Sequence, residues 1–233
     1  MPTLMFPEVT RTWNPFVGCV HDCTYCSARR LAETRLKNLP QYKDFSHPVF
    51  VKRTWRHKFN KGLIFCCNMG DLWAAMTPEE YIRWVLARVF NSPRATFLML
   101  TKNAGRYLEF MDIMPPNVIL GVTMETDRYP KPGISRAPSP MNRFLCMSTL
   151  KKRYPEARTM VSIEPIIDFD FFNFLPMITA CRPEVVYIGY DNHNCRLPEP
   201  TLEKTQKLIE ALRGFTEVRT KTLREAWNAP AGS

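Results

Sequence analysis

Five apolar runs recur along the chain, and each stops at a polar or turn-forming residue. Leu63–Cys67 leads into Asn68-Met69-Gly70-Asp71, Ala95–Leu100 into Thr101-Lys102, and Asn117–Val122 into Thr123-Met124-Glu125. Arg158–Ile163 leads into Glu164-Pro165, and Glu184–Ile188 into Gly189-Tyr190-Asp191. Near-continuous apolar runs of this length read as strands buried on both faces. Between them lie helix-forming segments: Pro78–Phe90 with Thr77 as N-cap, 104–111, Met141–Arg153, a short one near Phe171–Thr179, and Thr201–Arg213. An extended Arg11–Gly18 precedes the series. A first helix from Ser27 to Lys37, with Ser27 as cap, stops before Pro40, and Phe215–Thr220 closes the chain as a strand. Alternating strands and helices predict an α/β fold with a parallel sheet covered by helices. Six or seven such units suit a partial (β/α)6 TIM-like barrel, because 233 residues are few for a full barrel, which takes about 250. No low-complexity linker interrupts residues 1–233, so the expectation is a single domain.

The first strand leads into the densest chemistry in the chain. Cys19-Val20-His21-Asp22-Cys23-Thr24-Tyr25-Cys26 places three cysteines at C-x3-C-x2-C spacing, and Gly18 allows a sharp turn just before them. Thiolates favour zinc, copper(I) or iron–sulfur clusters. A structural zinc knot, with His21 or a distant cysteine as fourth ligand, is one reading. It lacks the second Cys pair that closed zinc sites use, since Cys66 and Cys67 are adjacent and the other cysteines solitary. Three unrelated core thiols are another reading, and three within eight residues beside His and Asp speak against it. An iron–sulfur cluster is the reading these observations favour.

Composition narrows the setting. No apolar run reaches the length of a membrane span, and Met1–Phe6 lacks the basic start and apolar core of a signal peptide. The expectation is a cytoplasmic protein with no membrane partner, whose eight cysteines are thiols or ligands. Net charge is +10, and from Arg29 to Lys61 ten Lys or Arg face only Glu33 and Asp44, so this stretch carries +8 of it. A basic insertion at about 38–62 holds Lys52, Arg53, Trp55, Arg56, Lys58 and Lys61, cations interleaved with aromatic residues, as phosphate contacts plus base stacking require. A solvated amphipathic helix burying Trp55 and Phe59 would produce the same pattern. His47 and His57 have no ligand-like spacing and read as surface residues. There is no G-x-x-x-x-G-K or G-x-G-x-x-G phosphate loop and no serine nucleophile elbow.

The cysteine loop resembles the signature of the radical S-adenosylmethionine superfamily. The resemblance implies that Cys19, Cys23 and Cys26 hold a [4Fe-4S] cluster whose open iron takes S-adenosylmethionine. Tyr25 would then pack near the adenine, and an external one-electron donor of flavodoxin or ferredoxin type would reduce the cluster. The likeness extends through Thr101-Lys102, 115–123, Arg136–Ser139 and Glu164–Ile167, which are similar to spore photoproduct lyases. They are more similar still to a related radical family of phages and bacteria. That family shows a Trp-Asn-Pro opening, matched by Trp13-Asn14-Pro15, a cysteine four residues before an aspartate, matched by Cys67 and Asp71, and a Glu-Pro pair, matched by Glu164-Pro165. By this likeness Lys102 meets the cofactor carboxylate, Thr123 and Glu125 lie by its amino-acid or ribose portion, and Gly70 and Asp71 meet its amino group. Asn68, Ser162, Glu164 and Tyr190, at or beside strand ends, complete the expected cofactor-binding set. In barrels of this kind that rim collects ligand groups.

Two departures bear on the chemistry. The superfamily's usual Gly-Gly-Glu is here Met69-Gly70-Asp71. The lyases return hydrogen from a cysteine near this point. Cys67 is the nearest counterpart, one residue further from the aspartate and in an apolar strand, where an inert thiol is the commoner state. Cys66, Cys146, Cys181 and Cys195 read as structural. The expected activity is reductive cleavage of S-adenosylmethionine to a 5′-deoxyadenosyl radical that abstracts hydrogen from a substrate, with nucleic acid or a nucleotide as the substrate class. The alternatives are a radical enzyme acting on a peptide or small metabolite, and a non-catalytic metal-stabilised nucleic-acid-binding module. Oligomeric state is not legible in the sequence.

Overall fold

The computed structural model describes residues 5–128 and 133–228. Positions 129–132, in a proline-rich stretch ahead of the helix-forming segment Met141–Arg153, and most of the N-terminal stretch 1–6 lie outside the described residues. The chain forms two compact units: one runs to Asp22 and resumes over Cys26–Leu120, and the other comprises Cys23–Tyr25 and the chain from Gly121 onward.

The first unit contains β1 (Val9–Trp13), β2 (Phe16–Val17), α1 (Ser27–Glu33), β3 (Val49–Phe50), β4 (Leu63–Cys66), α2 (Glu79–Phe90), β5 (Thr96–Thr101) and α3 (Gly105–Leu108). β6 (Val118–Thr123) follows. β1 pairs with β4 and β4 with β5, both in parallel, with Trp13 opposite Cys66 and Leu63 opposite Thr96. Apolar side chains from both faces bury these strands. Trp13, fully buried, packs against Phe59 at 5.1 Å and Phe97 at 6.0 Å between ring centroids. α2 turns Ile82, Val85, Leu86 and Val89 inward at helical spacing. β2 and β3 form a separate antiparallel ribbon, Phe16 opposite Phe50.

The second unit contains α4 (Pro140–Arg153), β7 (Arg158–Ile163), α5 (Phe171–Ala180), β8 (Val185–Ile188), α6 (Leu202–Arg213) and β9 (Glu217–Thr220). β7, β8 and β9 are parallel neighbours. Each helix starts at a side-chain cap: Ser139 accepts from Asn142 N, Asp170 from Phe172 N and Asn173 N, and Thr201 from Lys204 N. α6 buries Thr205, Leu208, Ile209 and Leu212, a stripe at i, i+3, i+4, i+7. Strand neighbours run β1-β4-β5 in the first unit and β7-β8-β9 in the second. The fold is α/β, of the partial TIM-barrel class, as the alternation of strands and helices requires.

The structure corrects several local expectations. α1 is capped by Cys26 rather than Ser27: the Cys26 sulfur accepts from Arg29 N at 3.3 Å. α2 begins at Glu79 with no side-chain cap, and the Thr77 hydroxyl is buried without a partner. Cys67 is not in a strand. β4 stops at Cys66, and Cys67 adopts φ +57° while donating its N–H to Trp13 O at 2.7 Å. The segment after β3 forms a single 3-10 turn, Lys52–Arg56, not an amphipathic helix. Phe59 is core, so it is removed from the aromatic residues available for stacking. His57 is half-buried, and burial together with Arg11 and Arg88 lowers its pKa.

Candidate cofactor and metal-binding residues

In the first unit the approach to the cysteine loop is built by the tripeptide after β1. Trp13 Nε1 donates to Thr54 O at 3.2 Å, Asn14 Nδ2 donates to Asn68 Oδ1 at 2.8 Å, and Asn14 Oδ1 accepts from Met69 N at 3.1 Å. Pro15 O accepts from Val51 N at 2.6 Å. One step on, Gly18 and Gly70 form a backbone bridge: Gly18 N donates to Met69 O and Asp71 N to Gly18 O. A Cβ on Gly70 would stand 2.6 Å from Gly18 O and 3.0 Å from Gly18 N, so this approach requires glycine. Gly18 itself has φ +96°.

Asp71 is satisfied by the protein itself. His21 Nε2 lies 2.9 Å from Asp71 Oδ2, and Thr101 Oγ1, Trp73 N and Lys102 N donate to the same carboxylate at 2.8–3.0 Å. Both His21 and Asp71 are buried. Burial alone would raise the Asp71 pKa, but the His21 hydrogen bond and charge, with the Lys102 N–H and Thr101 hydroxyl, bring it below the ordinary value. Asp71 therefore acts as a hub tying the middle of the cysteine loop to the end of β5. The sequence analysis assigned it to a cofactor amino group and missed His21 as its partner. Cys67 is buried with its sulfur 3.7 Å from that of Cys66, and burial raises the Cys66 thiol well above its ordinary pKa, with Cys67 adding to the effect.

The second unit carries a buried chain of three side chains. The Tyr25 hydroxyl donates to Glu125 Oε1 at 2.6 Å, and Arg143 Nη1 donates to Glu125 Oε2 at 2.7 Å. Arg143 also donates to Thr123 O and Pro138 O, each at 2.7 Å. Burial pushes the Tyr25 phenol well above its ordinary pKa, and the charges of Glu125 and Cys23 push it further. Glu125 thus fixes the ring of Tyr25 rather than standing open at a strand end. Arg143 lies on the inward face of α4 with Met147 and Leu150. An arginine at i of an apolar i, i+4, i+7 set was the available sign of a buried acidic partner.

The remaining strand-end residues divide by role. Glu164, mostly buried, accepts from Ser162 Oγ at 3.0 Å and pairs with Lys221 Nζ at 2.8 Å. The Tyr190 hydroxyl contacts Pro200 O at 3.1 Å and Thr205 Oγ1 at 2.8 Å. Asp191 accepts from His193 N and Cys195 N, closing a turn. That turn presents Cys195 to an open cleft of about 520 Å³, which Thr24 of the cysteine loop, Ile134, Arg196 and Asn228 also line. Cys181 is buried, and burial pushes its pKa up to about 12.

The three loop sulfurs each have a polar neighbour. Cys19 Sγ accepts from His21 N at 3.5 Å, Cys26 Sγ from Arg29 N at 3.3 Å, and Cys23 Sγ lies 3.1 Å from Ser135 Oγ. Three thiols within eight residues are the kind of donor set that soft metals and iron–sulfur clusters take. No disulfide joins any of the eight cysteines. Among the described residues no group of three or more His, Cys, Asp or Glu is gathered as a metal site. Among them, too, no helix is long and apolar enough to cross a membrane. The basic residues Lys52, Arg53, Arg56, Lys58 and Lys61 are all exposed, and Trp55 is 36% exposed while packing on Trp13 at 6.2 Å.

Fold and loop together define an α/β partial-barrel protein with a thiol-rich loop following the first strand. The chain belongs to the family described as "Protein of unknown function (DUF5131)", which matches residues 7–168. No match was found among curated proteins. Among solved structures, a double mutant of spore photoproduct lyase with bound AdoMet and dinucleoside spore photoproduct aligns with TM-score 0.56 at 8% identity, covering 88% of this chain and 61% of that one. A single mutant of the same lyase aligns with TM-score 0.54 at 10% identity, covering 94% and 66%. HydG, a maturase of the [FeFe]-hydrogenase, aligns with TM-score 0.52 at 11% identity, covering 95% and 54%. At these identities the shared property is the fold, and the chain spans less than two thirds of the length of each.

Proposed function

We propose that this protein is a radical S-adenosylmethionine enzyme acting on nucleic acid or a nucleotide. The observation that carries the reading is the C-x3-C-x2-C loop with Tyr25, set in a fold also found in a lyase that binds AdoMet. Cys19, Cys23 and Cys26 would hold a [4Fe-4S] cluster. When bound and reduced, that group supplies one electron to S-adenosylmethionine, releasing methionine and a 5′-deoxyadenosyl radical that takes hydrogen from the substrate.

The chain's own residues prepare this chemistry. Tyr25 is held by Glu125, and Glu125 by Arg143, so the aromatic ring before Cys26 is fixed in orientation. Asp71 fixes His21 of the loop and the backbone of Lys102, the residue assigned to the cofactor carboxylate. Glu164, with Ser162 and Lys221 behind it, is the acid best suited to a ribose diol. Cys67 is the proposed hydrogen donor, supported by its place four residues before Asp71. The substrate class rests on the exposed cations Lys52, Arg53, Arg56, Lys58 and Lys61. Oxygen-sensitive thiolate ligands and eight cysteines fit the cytoplasm, with a flavodoxin- or ferredoxin-type donor supplying electrons.

The test is anaerobic reconstitution with iron and sulfide, followed by S-adenosylmethionine and dithionite. The expected result is about four irons per chain with acid-labile sulfide, and 5′-deoxyadenosine that disappears in Cys23→Ala. A chain that takes up one zinc and cleaves no S-adenosylmethionine would overturn the reading in favour of a metal-stabilised nucleic-acid-binding module.

A further inference from the structure

The ribbon strand β3, the turn after it and helix α2 put four aromatic rings in one connected cluster at the surface of the first unit. Phe50 stacks on Tyr81 with centroids 4.8 Å apart and planes 16° off parallel. Trp84 lies 5.4 Å from Phe50 and 5.5 Å from Tyr81, and Trp55 lies 6.3 Å from Phe50. Both indoles are open to solvent, Trp84 at 44% and Trp55 at 36%. Exposed aromatic residues scattered singly are ordinary, whereas a contiguous set marks a binding surface. Trp55 belongs to the turn Lys52–Arg56, whose Lys52, Arg53 and Arg56 are exposed beside it. Glu79 and Glu80 open α2, and Glu79 is paired with Arg83 at 3.5 Å.

We infer that this surface docks a single strand of nucleic acid, its bases stacking on Trp55 and Trp84 and its phosphates meeting Lys52, Arg53 and Arg56. The inference rests on the proposed substrate class and sharpens it. An unpaired strand offers ring faces and phosphates in alternation, matching indoles beside cations. In a duplex those faces are covered by neighbouring base pairs, so flat indoles have nothing to stack on. An anionic membrane would meet the same cations and indoles, and it is the outcome that the vesicle competitor separates from strand binding. The pattern spans two segments far apart in sequence. The basic turn alone shows the charge, and only the fold adds Trp84.

The experiment is fluorescence anisotropy of the full chain with labelled single strands of about twelve nucleotides, a size within the range such surfaces take. The same sequence as a duplex and phosphatidylserine vesicles serve as competitors. The expected result is preference for the single strand, with affinity lowered roughly tenfold or more by Trp84→Ala and by Trp55→Ala, and largely kept by Trp84→Phe. Arg53→Gln with Arg56→Gln lowers the slope of log affinity against log salt by about 1.4, two phosphates' worth. Thermal melts confirm that each variant is folded. Equal or tighter binding to duplex, indifference to both tryptophan substitutions, or tryptophan-dependent vesicle binding in place of strand binding would overturn the inference. The assay needs neither cluster nor S-adenosylmethionine. A chain that binds the strand through Trp84 yet makes no 5′-deoxyadenosine keeps this surface and loses the enzyme reading. One that makes 5′-deoxyadenosine but ignores the strand loses the surface alone.

Discussion

Replacing Arg143 with methionine removes the cation that holds Glu125 while keeping a similar apolar stem. The cost can be worked from the contacts. Arg143 is 1% exposed and serves three acceptors at 2.7 Å: the Glu125 carboxylate, Thr123 O and Pro138 O. The Glu125 side chain is itself only 3% exposed. Breaking a buried ion pair from one side costs about 3–5 kcal/mol, because the remaining charge stays buried without its partner. Each abandoned carbonyl adds about 1 kcal/mol where water does not replace the donor. Set against a total stability of about 5–15 kcal/mol, Arg143→Met is expected to lower the unfolding free energy by about 5–7 kcal/mol and bring the fold near its limit. Lysine at this position keeps the charge but not the fork that reaches three acceptors, so Arg143→Lys should fall in between. Urea unfolding followed by circular dichroism reads these values. The decisive variant is Arg143→Met combined with Glu125→Gln, which removes the stranded charge and should regain about 2 kcal/mol over Arg143→Met alone. The reasoning fails if Arg143→Met lies within about 1 kcal/mol of the parent, or if the double variant is no more stable than the single one.

Three further outcomes are expected. Gly70→Ala forces a Cβ against the Gly18 backbone and should cost about 1–3 kcal/mol, read as a lower melting temperature together with reduced iron uptake on reconstitution. Asp71 has a folded pKa below its unfolded value of 3.8, so the unfolded chain takes up the proton first. Its contribution to stability is present above that value and is lost as pH falls through the folded pKa, and Asp71→Asn should flatten the acid limb of a stability–pH curve relative to the parent. Cys66 and Cys181, buried and raised in pKa, should resist iodoacetamide at mildly alkaline pH in the native protein and react once urea is added, as peptide mass spectrometry would show.

Periodicity made the fold legible. The run Arg158–Ile163 is a strand with those same ends, and Thr201 caps α6 as its place before a helical stripe suggested. Alternation of apolar runs and helices leaves few topologies, so the fold class followed from pattern alone. Local register was harder to read where tertiary contacts decide it. Cys67 looks like the last residue of an apolar strand, yet the close approach of Gly70 to Gly18 turns the chain at Cys67 instead. The Cys26 sulfur caps α1 by accepting from Arg29 N, a role that sequence rules reserve for Ser, Thr, Asp and Asn. The site was legible as a set of residue types at strand ends and illegible as pairings. Asp71 with His21, and Glu125 with Tyr25 and Arg143, are joined across 50, 100 and 18 residues, and no local pattern links them. The strand-end acids therefore looked open when several are already spoken for.

The clasp formed by Trp13, Asn14 and His21 has a consequence for how the protein is made. Several groups that hold this part of the chain lie well downstream: Thr54, Asn68, Met69 and Asp71. His21 is translated 50 residues before Asp71. At about 5–20 residues per second, the nascent loop spends about 3–10 s with its thiols unshaped. During that interval the cysteines are open to oxidation and to whatever soft metal is abundant. On the proposed reading, cluster loading belongs after the Asp71 segment has emerged, and the rate at which a cell makes this protein bears on how much of it carries the cluster.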